Sequence, residues 1–134
     1  MRAIPLLLTA AALAGCTTQP PAPTRTAEAQ AKFAQLTAGK VAGQPITCLP
    51  SYTTNDMVTI DNATVVFKKG SRVYVNHLLG ECHGLDSGFY TLVTRSHGSG
   101  MCRGDISRVE DVRTGTMVGT CAIGDFVPYL PAQG

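Results

Sequence analysis

Four cysteines, Cys48, Cys82, Cys102 and Cys121, run through the part of the chain after residue 40 and constrain it more than any other feature. A chain of 134 residues is expected to form one domain. A domain of that size buries only about 60–70% of its unfolded surface, so covalent staples add what a small core lacks. The fifth cysteine, Cys16, stands apart. It follows an apolar run from Ala3 to Ala14 that carries one positive charge in front of it, Arg2. About twelve apolar residues fall well short of the roughly 20 needed to span a bilayer, which fits a cleaved export signal. If Cys16 is set aside, an even number remains, and in a small exported domain that reads as two disulfides.

The ending of the apolar run, Leu13-Ala14-Gly15-Cys16, resembles the end of a bacterial lipoprotein signal peptide. The resemblance implies that residues 1–15 are removed and that Cys16 carries the lipid, with the protein palmitoylated and held on a membrane. Thr17 is not the aspartate associated with inner-membrane retention, so an outer-membrane site facing the periplasm is favoured. An ordinary secretory signal, cut after Ala12-Leu13-Ala14, is the alternative. Thr17 to Thr26 holds three prolines in ten residues and no large apolar group, the composition of a stiff, solvated spacer.

Residues 27–40 change character. Ala, Glu, Gln, Lys and Leu favour a helix, Thr26 is placed to cap it, and Gly39 to end it. Ala29, Phe33 and Leu36 share one stripe, so the helix either docks on the domain or forms transiently in the linker. From residue 41 the pattern is β. Strands are expected at Ile46–Leu49, stopped by Pro50, and at Met57–Ile60. A hairpin is expected from Thr64–Lys68 and Arg72–Asn76 around Gly70. Further strands are expected at Phe89–Thr94, Thr116–Ile123 and Phe126–Leu130, with Pro128 and Pro131 denying further pairing. Ile106, Val109 and Val112 are spaced for a helix, but Thr114-Gly115 looks like a hairpin turn, and we favour a strand. Ser96 to Gly104 reads as a loop. The sum is a mostly β domain over residues 41–134, a small antiparallel barrel or sandwich of about six strands. For the disulfides we expect Cys82–Cys102, closing a ring of about 20 residues worth roughly 3 kcal/mol. The second pair would be Cys48–Cys121, tying first strand to last.

Composition excludes more than it selects. The formal charge of +2 includes Arg2, and no Lys/Arg block forms a patch, so nucleic acid is not an expected partner. His77, His83 and His97 fall near Cys82 and Cys102, but there is no Cys-x-x-Cys or His-x-x-x-His spacing, and an oxidised cysteine is no thiolate ligand. We expect no metal and no cofactor. Ser96-His97 and Ser99 lie in a glycine-rich loop without a Gly-x-Ser-x-Gly elbow, so we expect no catalytic residue and no enzyme. Arg103-Gly104-Asp105 reads as a tight turn. Lys68, Lys69, Arg72 and Tyr74 at the hairpin tip form the expected interaction cluster, and Tyr90 and Tyr129 are further candidates for a contact face.

Cys48-Leu49-Pro50, the Asn76–Leu85 stretch, Cys102-Arg103-Gly104-Asp105 and Cys121-Ala122-Ile123-Gly124-Asp125-Phe126-Val127-Pro128-Tyr129 resemble a family of small proteobacterial envelope proteins of unknown function. The resemblance spans roughly Val41 to Tyr129 and implies an exported or lipidated four-cysteine β domain. It implies no activity. The resulting expectation is a non-catalytic envelope lipoprotein that binds, assembles or inhibits, tethered to the membrane through its lipid and contacting another envelope protein. A small-ligand or metal-handling protein using the histidine loops is the alternative.

Overall fold

The computed structural model describes residues 25–53, 56–95, 98 and 100–133. The signal, Cys16 and most of the spacer lie outside the described residues, as do Ser96, His97 and Ser99.

The helix α1 (Ala27–Thr37) is docked. Thr26 caps it, its hydroxyl accepting from the Ala29 amide at 3.1 Å, which satisfies one of the orphan donors of the first turn. Ala29 is buried, and Phe33 and Leu36 pack beside it on Ile60, Val66, Val73 and Val75. A helix of this length is marginal alone, so the apolar stripe is what holds it in place.

Ten strands are formed among the described residues: β1 (Lys40–Ala42), β2 (Cys48–Pro50), β3 (Met57–Asp61), β4 (Thr64–Lys69), β5 (Arg72–His77), β6 (Tyr90–Thr94), β7 (Gly100–Cys102), β8 (Ile106–Asp111), β9 (Met117–Ala122) and β10 (Phe126–Pro131). They make three antiparallel sheets, ordered β1-β10-β5-β4-β3, β2-β7 and β6-β8-β9. None closes on itself, so the architecture is sandwich-like and not a barrel.

The five-stranded sheet has two apolar faces because β4 alternates between them. Val66 faces the helix layer, with Val73 and Val75 of β5. Val65 and Phe67 face the other way, into a core shared with Leu49, Leu92, Met101, Val109, Ile123 and Phe126. That period of two is why four consecutive residues, Thr64 to Phe67, are all buried. The rings of Phe67 and Phe126 meet at 5.9 Å between centroids.

Several expectations are corrected. About six strands become ten: the three-residue β1 and β7, too short to show a period, add to those the pattern already marks. Ser96–Gly104 contains β7, which pairs with β2 and sets Leu49 opposite Met101. Pro128 does not deny pairing, since β10 is an interior strand between β1 and β5. The Pro128 carbonyl accepts from Gly43 at 2.7 Å, so the side of Pro128 that lacks an N–H points past the end of β1 and costs no bond to β5. The disulfide pairing also differs: Cys48 joins Cys102 and Cys82 joins Cys121. Cys48 lies directly opposite Cys102 in the β2-β7 ladder, while Leu79 bridges Ala122 and brings the Cys82 loop beside Cys121. The expected strand at Ile106 is present, and its turn into β9 is held by Asp111, whose carboxylate accepts from the Arg113 and Thr114 amides at 2.8 and 3.1 Å.

Candidate functional site

At the tip of the β4-β5 hairpin the inner face of the sheet runs out past its covering strands. The turn itself needs Gly70, which sits at φ +57° in the first of two central positions between the paired Lys69 and Arg72. On the uncovered face Lys69, Arg72 and Tyr74 share one side, because residues opposite one another in an antiparallel ladder point the same way and Tyr74 pairs with Phe67. The chain from Ile46 through β2 to Thr53 forms the facing wall. Between them lies a groove of about 640 Å³. Ile46, Leu49, Pro50 and Tyr74 supply apolar surface, Lys69 and Arg72 supply positive charge, and no carboxylate lines it. Ile46 is 38% exposed and Leu49 fully buried, so the floor is rigid core and the lip is open.

Of the four residues expected at this tip, Lys69, Arg72 and Tyr74 share one face and line the groove. Lys68 does not join them. It lies opposite Val73, on the helix side of the sheet, and pairs with Asp56 at 3.4 Å. Both partners are well exposed, so that pair adds little stability. Arg72 makes no ion pair among the described residues. Ile46, Pro50 and Thr53 were missed as site residues, since only the fold brings β2 across the hairpin. The tyrosines do not form one contact face: Tyr74 and Tyr90 pack on the inner core, and Tyr129 meets Phe33 edge-on on the helix side.

A second set of residues holds the groove's wall in place. Asn76 is fully buried and uses its side-chain amide on the backbone of Gly124, donating to the carbonyl at 2.8 Å and accepting from the N–H at 3.1 Å. Arg103 pairs with Asp125. The Arg103 amide donates to Thr47 at 2.8 Å, and Gly104 and Asp105 exchange backbone bonds with Ile123. Asp105 closes the turn by accepting from the Cys102 amide at 2.7 Å. The Arg103-Gly104-Asp105 tripeptide is thus a structural turn whose arginine is engaged.

The opposite end of β4 receives the N-terminal segment. Arg25 donates to Asp61 at 3.0 Å and to Thr64 at 3.2 Å, and its guanidinium lies 4.2 Å from the centre of the Phe33 ring. A second cavity, about 430 Å³, opens beside it, lined about evenly by polar and apolar surface, with Glu28, Lys32, Asp61, Glu81 and Asp86 around it. His77 lies opposite Thr64 in the β4-β5 ladder, where the Arg25 and Asp61 charges act on it. Partial burial lowers its pKa, the Arg25 charge lowers it further, and Asp61 opposes both. Because the unfolded chain takes up the proton first, stability is full above about pH 6.5 and falls as pH drops through that value toward the lower folded midpoint. More than a third of His77 is exposed, so the loss is small. In an NMR titration the His77 midpoint should lie below 6.5 and move up in Arg25→Gln. An unchanged midpoint in that variant would show that Arg25 does not act on the imidazole.

His77 and His83 line neither cavity. His83 is exposed beside Glu81, 3.7 Å away. No group of three or more metal-ligating side chains occurs among the described residues, and no described helix is long and apolar enough to cross a membrane.

A β-sandwich stapled by two disulfides, with a docked N-terminal helix and a cationic groove at one end, is the class of protein the fold defines. The chain belongs to the family of unknown function DUF6491, which it matches over residues 1–130. No curated protein and no solved structure matches it.

Proposed function

We propose that the protein is a non-catalytic lipoprotein of the cell envelope, tethered through Cys16 to the outer membrane, and that its domain binds another envelope protein in the periplasm to assemble or inhibit it. The observation that carries the binding reading is the groove between β2 and the hairpin tip. It joins exposed apolar surface to two cations and leaves Arg72 without an ionic partner among the described residues. The four domain cysteines are all bonded to one another, which supports oxidising surroundings and a structural role for sulfur. Lipid on Cys16 gives stable attachment once more than one acyl chain is buried, at about 0.8 kcal/mol per methylene. The spacer up to Thr26 then lets the domain stand off the bilayer. The proteobacterial origin and the four-cysteine signature belong to the same reading. The ligand-carrier alternative draws less support, because His77 and His83 line neither of the two cavities described above.

Two measurements on one strain test this. Mass spectrometry of the membrane-extracted protein should find residues 1–15 absent and Cys16 acylated, and Cys16→Ser should move the protein out of the membrane fraction. A photo-crosslinking amino acid at Ser71 should give a discrete adduct in intact cells that Lys69→Glu with Arg72→Glu abolishes. An unmodified Cys16 defeats the tether, and no adduct at any growth condition defeats the groove as the binding site.

A further inference from the structure

The groove's chemistry and its position in the fold together narrow the occupant. We propose that it receives an acidic peptide segment of a protein partner, with one or two apolar side chains seated on Ile46, Pro50 and Tyr74 and a carboxylate held by Arg72; this rests on the binding reading above.

Charge complementarity is the first argument. The lining carries two cations and no acid. The nearby carboxylate of Asp56 is paired with Lys68, which lies on the opposite face of the sheet from Lys69. A groove of about 640 Å³ with an apolar floor takes side chains, whereas a bare anion would leave the floor solvated. Arginine on such a rim offers a planar fork that fits a carboxylate.

Position is the second argument: the groove lies clear of the N-terminal segment and stays open while that segment is docked. The N-terminal segment enters the domain at Arg25, which is locked to Asp61 and Thr64 at the start of β4. Lys69 and Arg72 lie at the far end of that strand. Six strand residues put these ends about 17 Å apart. The groove therefore sits at the end of the strand opposite the point where the N-terminal segment enters, clear of that segment.

The test uses the full chain purified in zwitterionic detergent. The probe is a fluorescein-labelled peptide, Ser-Glu-Leu-Glu-Phe-Glu-Ser, read by anisotropy, with amide shifts followed by NMR. The expected result is saturable binding that shifts Ile46, Leu49, Gly70 and Tyr74 and weakens at least tenfold in Arg72→Glu, while the same peptide with lysine for glutamate does not bind. Arg72 is exposed, so circular dichroism should show the variant folded. Arg72-dependent binding to phosphatidylglycerol vesicles without peptide binding would overturn the proposal in favour of a lipid surface. If neither probe binds but the Ser71 adduct forms and needs the two cations, the acidic-peptide assignment fails and the binding reading stands. If no adduct forms either, both fail.

Discussion

Gly124→Ala should be the most destabilising glycine substitution in the domain, lowering its melting temperature without abolishing folding. A Cβ at this position would fall far inside van der Waals contact with the carbonyl oxygen of His77, a backbone atom that cannot swing aside. Relief requires the turn after β9 to lift away from β5. That motion breaks both bonds between Gly124 and the buried Asn76 amide, stranding polar atoms in the core at about 1–3 kcal/mol each. With the overpacking itself, the cost is about 3 kcal/mol or more. Against a total stability of roughly 5–15 kcal/mol, that lowers the melting temperature by at least about 10 °C. Gly119→Ala is the control. Its Cβ meets nothing within 4 Å and its backbone angle is ordinary, so it should change stability by less than about 1 kcal/mol, in the stabilising direction. Equal melting temperatures for Gly124→Ala and the unaltered protein would mean that the turn is not seated as described.

The Gly124 result bears on why this ending could be recognised before its purpose was clear. Within Cys121 to Tyr129, Gly124 allows the approach to His77, Asp125 takes Arg103, Phe126 fills the core and Tyr129 meets Phe33. Each residue type reflects a contact with a distant strand or loop, and such contacts leave no local period to read. Where the signal was local it was legible. The alternation of Val65 and Phe67 against Val66 marks β4, Thr26 marks the helix start, and Thr114-Gly115 marks the turn that makes Ile106–Asp111 a strand.

The groove was half legible for the same reason. Lys69, Arg72 and Tyr74 are neighbours in a hairpin, so the sequence groups them. The same alternation already separates Lys68 from Lys69, and applying it strictly would have removed Lys68 from the cluster. The other wall was out of reach. A strand is expected at Ile46–Leu49, where β2 forms, but its partner β7 has three residues and begins with Gly100, and nothing in such a segment announces a strand or the pairing. Misplacing that ladder is also what misassigned the disulfides. Gly-rich loops that flank a common strand looked like neighbours, but Cys102 is carried on β7 to face Cys48.

The two disulfides should differ in what their loss costs. Loop length does not separate them: the cysteines are 39 and 54 residues apart, and the chain-entropy model assigns roughly 4 kcal/mol to either. Burial does. Cys82 and Cys121 are 1% and 8% exposed and belong to the inner core, whereas Cys48 is exposed and sits on the three-residue β2. Replacing Cys82 and Cys121 by serine puts two hydroxyls among Leu78, Leu85 and Ile123, at about 1–3 kcal/mol for each left without a partner. The Cys82→Ser, Cys121→Ser protein should therefore be the less stable of the two double variants, by at least about 1 kcal/mol in urea, and should accumulate poorly in cells. Cys48→Ser, Cys102→Ser should still fold but loosen the wall of the groove, weakening the Ser71 adduct more than it lowers the melting temperature. Trypsin makes the pairing itself easy to check, because its cleavage sites place the four cysteines on separate peptides, 41–68, 73–95, 96–103 and 114–134. Without reduction, 41–68 should run joined to 96–103, and 73–95 to 114–134. Any other pairing would undo the β2-β7 ladder and, with it, the groove.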